Sequence, residues 1–120
     1  MSQPRYQTFS AFWPFYLGEH SLLATRWMHF VGSTLALLVL GAGVLTANPW
    51  SVLGALVSGY AFAWVSHFFI EKNRPATFTY PLWSFAADWR MWALMLLGKL
   101  GPELEKAGVK PRGGERVTAS

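Results

Sequence analysis

The sequence predicts an all-α protein: an integral membrane helical hairpin with additional interfacial or re-entrant helices. Three observations predict it. Two apolar runs, Phe30 to Ala47 and Trp50 to Ile70, each come close to the ~20 residues that a helix needs to span a bilayer. Asn48-Pro49, between them, is a turn signal. Charge is also scarce. Of 120 residues, 13% are charged, 52% apolar and 17% aromatic, whereas a soluble domain carries roughly 25% charged residues. Too few charges remain to cover the surface of a water-soluble monomer, and this composition excludes a disordered chain.

Taken in order, the opening MSQPRYQTFS lacks the charged-then-apolar pattern of a signal peptide. Phe12 to Leu17 (FWPFYL) is an aromatic cluster broken by Pro14, of a kind suited to a membrane interface. Small residues punctuate both long runs: Gly41 and Gly43 in the first, Gly54, Ser58 and Gly59 in the second. Such positions let helix backbones approach closely. Pro75 disfavours helical geometry at Arg74, so the second helix is expected to end near Asn73. A loop follows, Arg74 to Pro81. The third apolar segment, Leu82 to Leu100, contains Asp88 and Arg90. Its uninterrupted part, Met91 to Leu97, is too short to cross, which predicts an interfacial or re-entrant helix. Residues 1–100 are therefore expected to form one membrane-embedded domain. Residues 101–120, with mixed charges, two prolines and four glycines, are expected to form a polar, mobile tail. Cysteine is absent, which excludes a disulfide framework, a thiol nucleophile and a thiolate metal site.

The net charge of +4 is an orientation signal. Arg5 and Arg26 precede the first span; Lys72, Arg74, Arg90 and Lys99 follow the second; the hairpin connection has no basic residue. The positive-inside rule places both termini in the cytoplasm after two crossings. Basic residues spread in this way give no nucleic-acid surface.

Only three acids, Glu19, Glu71 and Asp88, and all three histidines, His20, His29 and His67, lie in the first hundred residues. His29 precedes Asn48 by 19 positions and His67 follows Pro49 by 18. At ~1.5 Å per residue the two return to one depth on the hairpin. Arg26 and Glu71 fall level one turn further out, and Arg26, His29 and Ser33 share a helical stripe. His67 and Glu71 are four apart, so both reach one point, and His20 is placed to fold back over it. Ionisable groups gathered at a membrane usually mark a site. A nitrogen-and-oxygen ligand set suits Fe(II), Mn(II) or Zn(II), and histidines with a carboxylate suit non-haem iron. Plainer roles compete: Glu71 paired with Arg26 or Arg74, Asp88 paired with Arg90 or capping a helix, His20 bonded to backbone.

The strings FWPFYLGEH (12–20), TRWMHFVGS (25–33), AWVSHFFIEKNRPATFTYPLWS (63–84) and DWRMW (88–92) resemble a family of small membrane proteins that includes the fungal iron-dependent 2-hydroxy fatty acid dioxygenase. The resemblance implies α-oxidation: a 2-hydroxy acyl chain loses its carboxyl carbon, using Fe(II) and O2. It implies His20, His29 and His67 as iron ligands; the residues themselves leave Glu71 and Asp88 both open as a fourth. It also implies a membrane setting, the endoplasmic reticulum in a eukaryote and the inner membrane in a bacterium. On this reading the acyl tail lies along the hairpin and an arginine holds the substrate carboxylate: Arg74 first, then Arg26 and Arg90. Asp88 would orient a liganding imidazole. Two other readings compete, a non-enzymatic lipid-binding or scaffold protein and a zinc-dependent lipid hydrolase.

Overall fold

The computed structural model describes residues 6–109. Its α-helices are α1 (Phe9–Gly18), α2 (Leu23–Leu45), α3 (Trp50–Val65), α4 (Pro81–Leu97) and α5 (Leu100–Lys106). A π-helical turn, Ser66–Glu71, continues α3, and a 3-10 turn, Ala76–Phe78, leads into α4.

α2 and α3 form the expected antiparallel hairpin. Small residues set their separation. A Cβ on Gly32 would sit 2.6 Å from Phe62 Cβ, one on Gly54 3.3 Å from Val39, and one on Gly43 would overlap the Ser51 side chain. At the tip, Thr46 Oγ1 donates to the Ala42 carbonyl, Asn48 N–H donates to the Gly43 carbonyl, and Trp50 N–H donates to Asn48 Oδ1. Ala47 takes a left-handed φ of 55° there. These bonds use backbone groups that the helix ends would otherwise leave unmade.

α2 and the continuous helix Trp50–Glu71 are long and apolar enough to cross a membrane. Only 28% and 17% of their most apolar stretches are buried, so they are not the wrapped core helices of a compact bundle. Leu38, Val44, Leu45, Trp50 and Val57 all face outward. A continuous apolar surface of this kind suits lipid.

α1, α4 and α5 fold over the open end of the hairpin. Thr8 caps α1, its Oγ1 accepting from Ala11 N–H at 3.1 Å. Pro14 does not break this helix, which runs through it to Gly18. Pro81 opens α4, where a missing N–H costs nothing, and Gly98, at φ 70°, ends it. Phe12, Tyr16 and Leu17 of α1 bury against Tyr80, Ala87 and Met91. Trp92 Nε1–H donates to Thr34 Oγ1 at 3.0 Å, tying α4 to α2. The expected polar tail begins differently. Leu104 of α5 buries into the aromatic core, and Glu103 accepts from Trp13 Nε1–H at 3.0 Å. Its remainder, 110–120, and Arg5 lie outside the described residues.

The tight contacts predict a contrast. Gly32→Ala is expected to lower stability by about 1–3 kcal/mol, because the added carbon overpacks the helix interface. Gly41→Ala, with open space around it, is expected to be neutral or mildly stabilising. Thermal unfolding in detergent, followed by circular dichroism, measures both.

Candidate metal centre

His20 lies in the short connection between α1 and α2. Its N–H donates to the Leu17 carbonyl at 3.0 Å, which turns the chain at the end of α1. Two charged side chains pin this turn. Arg26, 1% exposed, donates from Nη1 to the His20 carbonyl at 2.5 Å. Glu71 accepts from Leu22 N–H at 2.6 Å and from the Ser21 hydroxyl at 3.3 Å. A carboxylate at the first N–H groups of α2 also meets the positive end of that helix dipole. Arg26 and Glu71 lie within Coulombic reach of each other.

His29 is on α2 and His67 is on the π-helical turn. Such turns are rare overall and frequent at functional sites. This one ends in a left-handed Lys72, φ 64°, and Asn73 N–H bonds back to the His67 carbonyl at 2.9 Å. The Asn73 side chain is thereby placed beside the His67 ring.

The three Nε2 atoms converge. His20 to His29 is 3.1 Å, His29 to His67 is 3.3 Å and His67 to His20 is 3.0 Å, all buried. The opposite edges face oxygens. His20 Nδ1 is 2.7 Å from the Tyr16 carbonyl, His67 Nδ1 is 2.7 Å from Asn73 Oδ1, and His29 Nδ1 is 3.7 Å from Asp88 Oδ1. Asn73 Nδ2 donates to the Glu19 carbonyl, which fixes Oδ1 toward His67. A carbonyl or amide oxygen only accepts, so we assign the hydrogen to Nδ1 of His20 and His67. Nε2 lone pairs then point at one another, an arrangement that repels unless a cation sits between them. The nitrogen separations are those of ligands about 2.1 Å from one centre, at angles of about 90–105°. The three residues therefore fit a metal ion. They are all nitrogen donors, which suits a divalent transition metal.

The surroundings support neutral ligands. Burial first, then the neighbouring rings of His29 and His67, holds His20 well below the ordinary histidine value. Burial pushes Asp88 up to about 7, against the pull of the Tyr16 hydroxyl, which donates to Oδ1 at 2.5 Å. Burial, then the Asp88 charge, raises Tyr16 well above its usual value.

Two cavities meet here. One of about 10 Å³, room for about one water, is lined by the three histidines, Ser84 and Asp88. The Ser84 hydroxyl is buried with no hydrogen-bond partner among the described residues. The other, about 250 Å³, shares His29 and Asp88 and runs between α2, α3 and α4, lined largely by apolar groups such as Ala36 and Leu56.

A family model described as 2-hydroxy-palmitic acid dioxygenase Mpo1-like matches residues 6–100. The chain belongs to this family. The Mpo1-like match contains all three histidines and their Nδ1 partners, and it stops at the first residue of α5. Neither the curated proteins nor the solved structures gave a significant match.

In this Mpo1-like chain the expected residues divide. His20, His29 and His67 meet, and Asp88 stands behind His29. Asp88 does not pair with Arg90, nor does it cap a helix: it lies within α4 and meets Tyr16 and His29. Arg90 stacks on Trp13 and reaches Glu103 at 3.6 Å, away from the histidines. Glu71 is outside the converging group, its carboxylate being held by the start of α2. Arg26 holds the His20 backbone rather than standing open to a substrate. Arg74 is exposed, over the Phe78 ring at 5.1 Å, and lines a different surface hollow with Lys72 and Asn73. Sequence reasoning missed Tyr16, Asn73 and Ser84. Tyr16 stands four residues before His20 and Ser84 four before Asp88, a helical spacing that was available as a signal.

Two variants separate the roles. Asn73→Ala is expected to weaken metal binding by about 10–100-fold by releasing the His67 ring, read by competition with a chelator. Glu71→Ala is expected to keep the metal stoichiometry and lose about 1–3 kcal/mol, because it strands the Leu22 N–H. Metal content and thermal unfolding of the apoprotein distinguish the two.

Proposed function

We propose that this protein is an Fe(II)-dependent dioxygenase that shortens 2-hydroxy fatty acids by one carbon, within a membrane and with both termini cytoplasmic. The buried, thiolate-free histidine triad carries the reading, and the family's description names the reaction class. The C1–C2 bond breaks, C2 becomes the carboxyl carbon of the shortened acid, and one O2 balances as one CO2 and one water. Bound iron would supply the electrons that engage O2 and the Lewis acidity that draws in the 2-hydroxy carboxylate.

The chain's own groups do the rest. His20, His29 and His67 hold the ion through Nε2. Tyr16, through its carbonyl, and Asn73 keep the hydrogen on the far side of two of the rings. Asp88 positions His29 from behind and stands, like His29, in the larger cavity. Arg26 and Glu71 are positioning residues that hold the His20 turn. The apolar cavity leading away from His29 suits a hydrocarbon tail.

The test is anaerobic purification, iron loading and incubation with 2-hydroxypalmitate, followed by mass spectrometry. The fifteen-carbon acid is expected only with both iron and O2, and His67→Ala is expected to abolish it. Turnover with zinc and no O2 would favour a hydrolase instead. Protein that neither retains nor takes up metal, yet binds lipid after replacement of all three histidines, would favour a lipid-binding scaffold. A reporter fused after Ser120 that works only outside the cytoplasm would overturn the topology.

A further inference from the structure

We infer that the cavity between α2, α3 and α4 seats a single acyl chain, and that Gly59 and Ala55 set the chain length it accepts. The inference rests on the dioxygenase reading for the head group and goes beyond it for the tail.

The cavity is a half-open groove with a polar end and an apolar end. His29 and Asp88, which also line the small cavity at the triad, form the first. Ser33 and Tyr60 lie near it, and beyond them the walls are apolar: Ala36, Leu40, Val52 and Leu56. The apolar end lies toward the hairpin tip, at Leu40 and Val52; beyond it α2 and α3 close on each other where Gly43 meets Ser51 with no room for a Cβ. A head group at the histidines therefore has this apolar groove beside it for its tail.

The length can be read from the helices. His29 to Leu40 on α2 and Ala63 to Val52 on α3 are both eleven residues, which is about 16 Å of helix. A carbon chain with ~1.5 Å bonds at ~111° advances about 1.25 Å per carbon, so the groove takes about 13 carbons beyond the head. That corresponds to acids of about 14–16 carbons in all. The volume of about 250 Å³ lies just below the roughly 300–1,000 Å³ of ordinary ligand sites. It suits one chain and leaves no space for the second chain of a phospholipid.

Two small residues hold the groove open. A Cβ on Gly59 would lie 3.8 Å from Ala36 Cβ, so the width there depends on missing side-chain atoms. Ala36 is seven residues beyond His29, about 10 Å or eight carbons along the tail. Ala55 lies deeper, next to Gly54, which faces Val39. Val39 is ten residues beyond His29, about 15 Å or twelve carbons. Larger side chains at these two positions plug the groove at two depths.

The experiment uses the full-length, iron-loaded protein in lipid nanodiscs. An equimolar mixture of saturated 2-hydroxy acids from eight to twenty carbons is offered without O2, and retained acids are quantified by mass spectrometry. O2 is then admitted and products are measured. The wild type is expected to retain acids near sixteen carbons best. Gly59→Leu is expected to move the preference to about ten carbons and Ala55→Phe to about fourteen. The ratio of sixteen- to ten-carbon acid retained by Gly59→Leu is expected to fall at least ~10-fold, the scale of a methylene-sized misfit in an apolar pocket. Val57→Phe, outward on the same helix, is expected to keep the wild-type profile. Ala55→Leu replaces the phenylalanine variant if that one fails to fold. Folded, metal-binding variants with the wild-type profile overturn the groove assignment, even if the wild type shortens 2-hydroxy acids. Shifted retention with no shortened acid leaves the groove standing and overturns the reaction.

Discussion

Three imidazoles turned inward, each with its other nitrogen against an oxygen, are the constraint on which the rest of this structure depends. A neutral imidazole has one hydrogen. Where an acceptor holds it on Nδ1, Nε2 can only present a lone pair. Placing the Nε2 atoms of His20 and His67 3.0 Å apart is therefore unfavourable without a cation. The fold commits three separate segments to this arrangement: the α1–α2 connection, α2 and the π-helical turn after α3. Buried Arg26 and Glu71 make sense as supports of that geometry. Both act on the same three-residue turn that carries His20, one through the His20 carbonyl and one through the Leu22 N–H.

The hairpin and the aromatic layer divide the work. The hairpin sets depth, because a helix rises by a fixed step and the two histidines stand at similar distances from the tip. The layer of α1, α4 and α5 sets closure. It brings Tyr16 and Asp88 over the triad, joined to each other by one hydrogen bond, and buries Phe12, Leu17 and Met91 around them. Most of the outer hairpin surface stays apolar and unburied. The polar site sits at the end of the hairpin rather than at its middle, so the burial of its charges is limited to a small protein-lined pocket.

The hairpin, the end of its second helix near Asn73 and the meeting of the three histidines were all legible in residue order. Side-chain partners were less so. Asp88 and Arg90 look like a pair on paper, but residues two apart on a helix do not face each other. In the structure they point to different neighbours, His29 and Glu103. Glu71 looked like a ligand because it stands four residues from His67. The widened turn between them and the approach of Leu22 from the other chain segment give its carboxylate a different task. Arg74 was the first candidate to hold a substrate carboxylate; the left-handed Lys72 turns the chain so that it stacks on Phe78. Pro14 interrupts the aromatic cluster in the sequence, and α1 passes through it.

By itself the sequence determined the class of the protein, its two apolar spans, their turn and the common level of its histidines. Those follow from local quantities: transfer of apolar residues out of water, the rise per residue, the φ limit of proline and the turn-forming side chain of asparagine. Only the tertiary structure decided which nitrogen of each ring faces inward, which acid stands behind which histidine, and where an apolar cavity opens beside them. Those depend on how α1 and α4 are rotated against the hairpin, a choice made by side-chain packing among residues far apart in the chain, which no local spacing encodes.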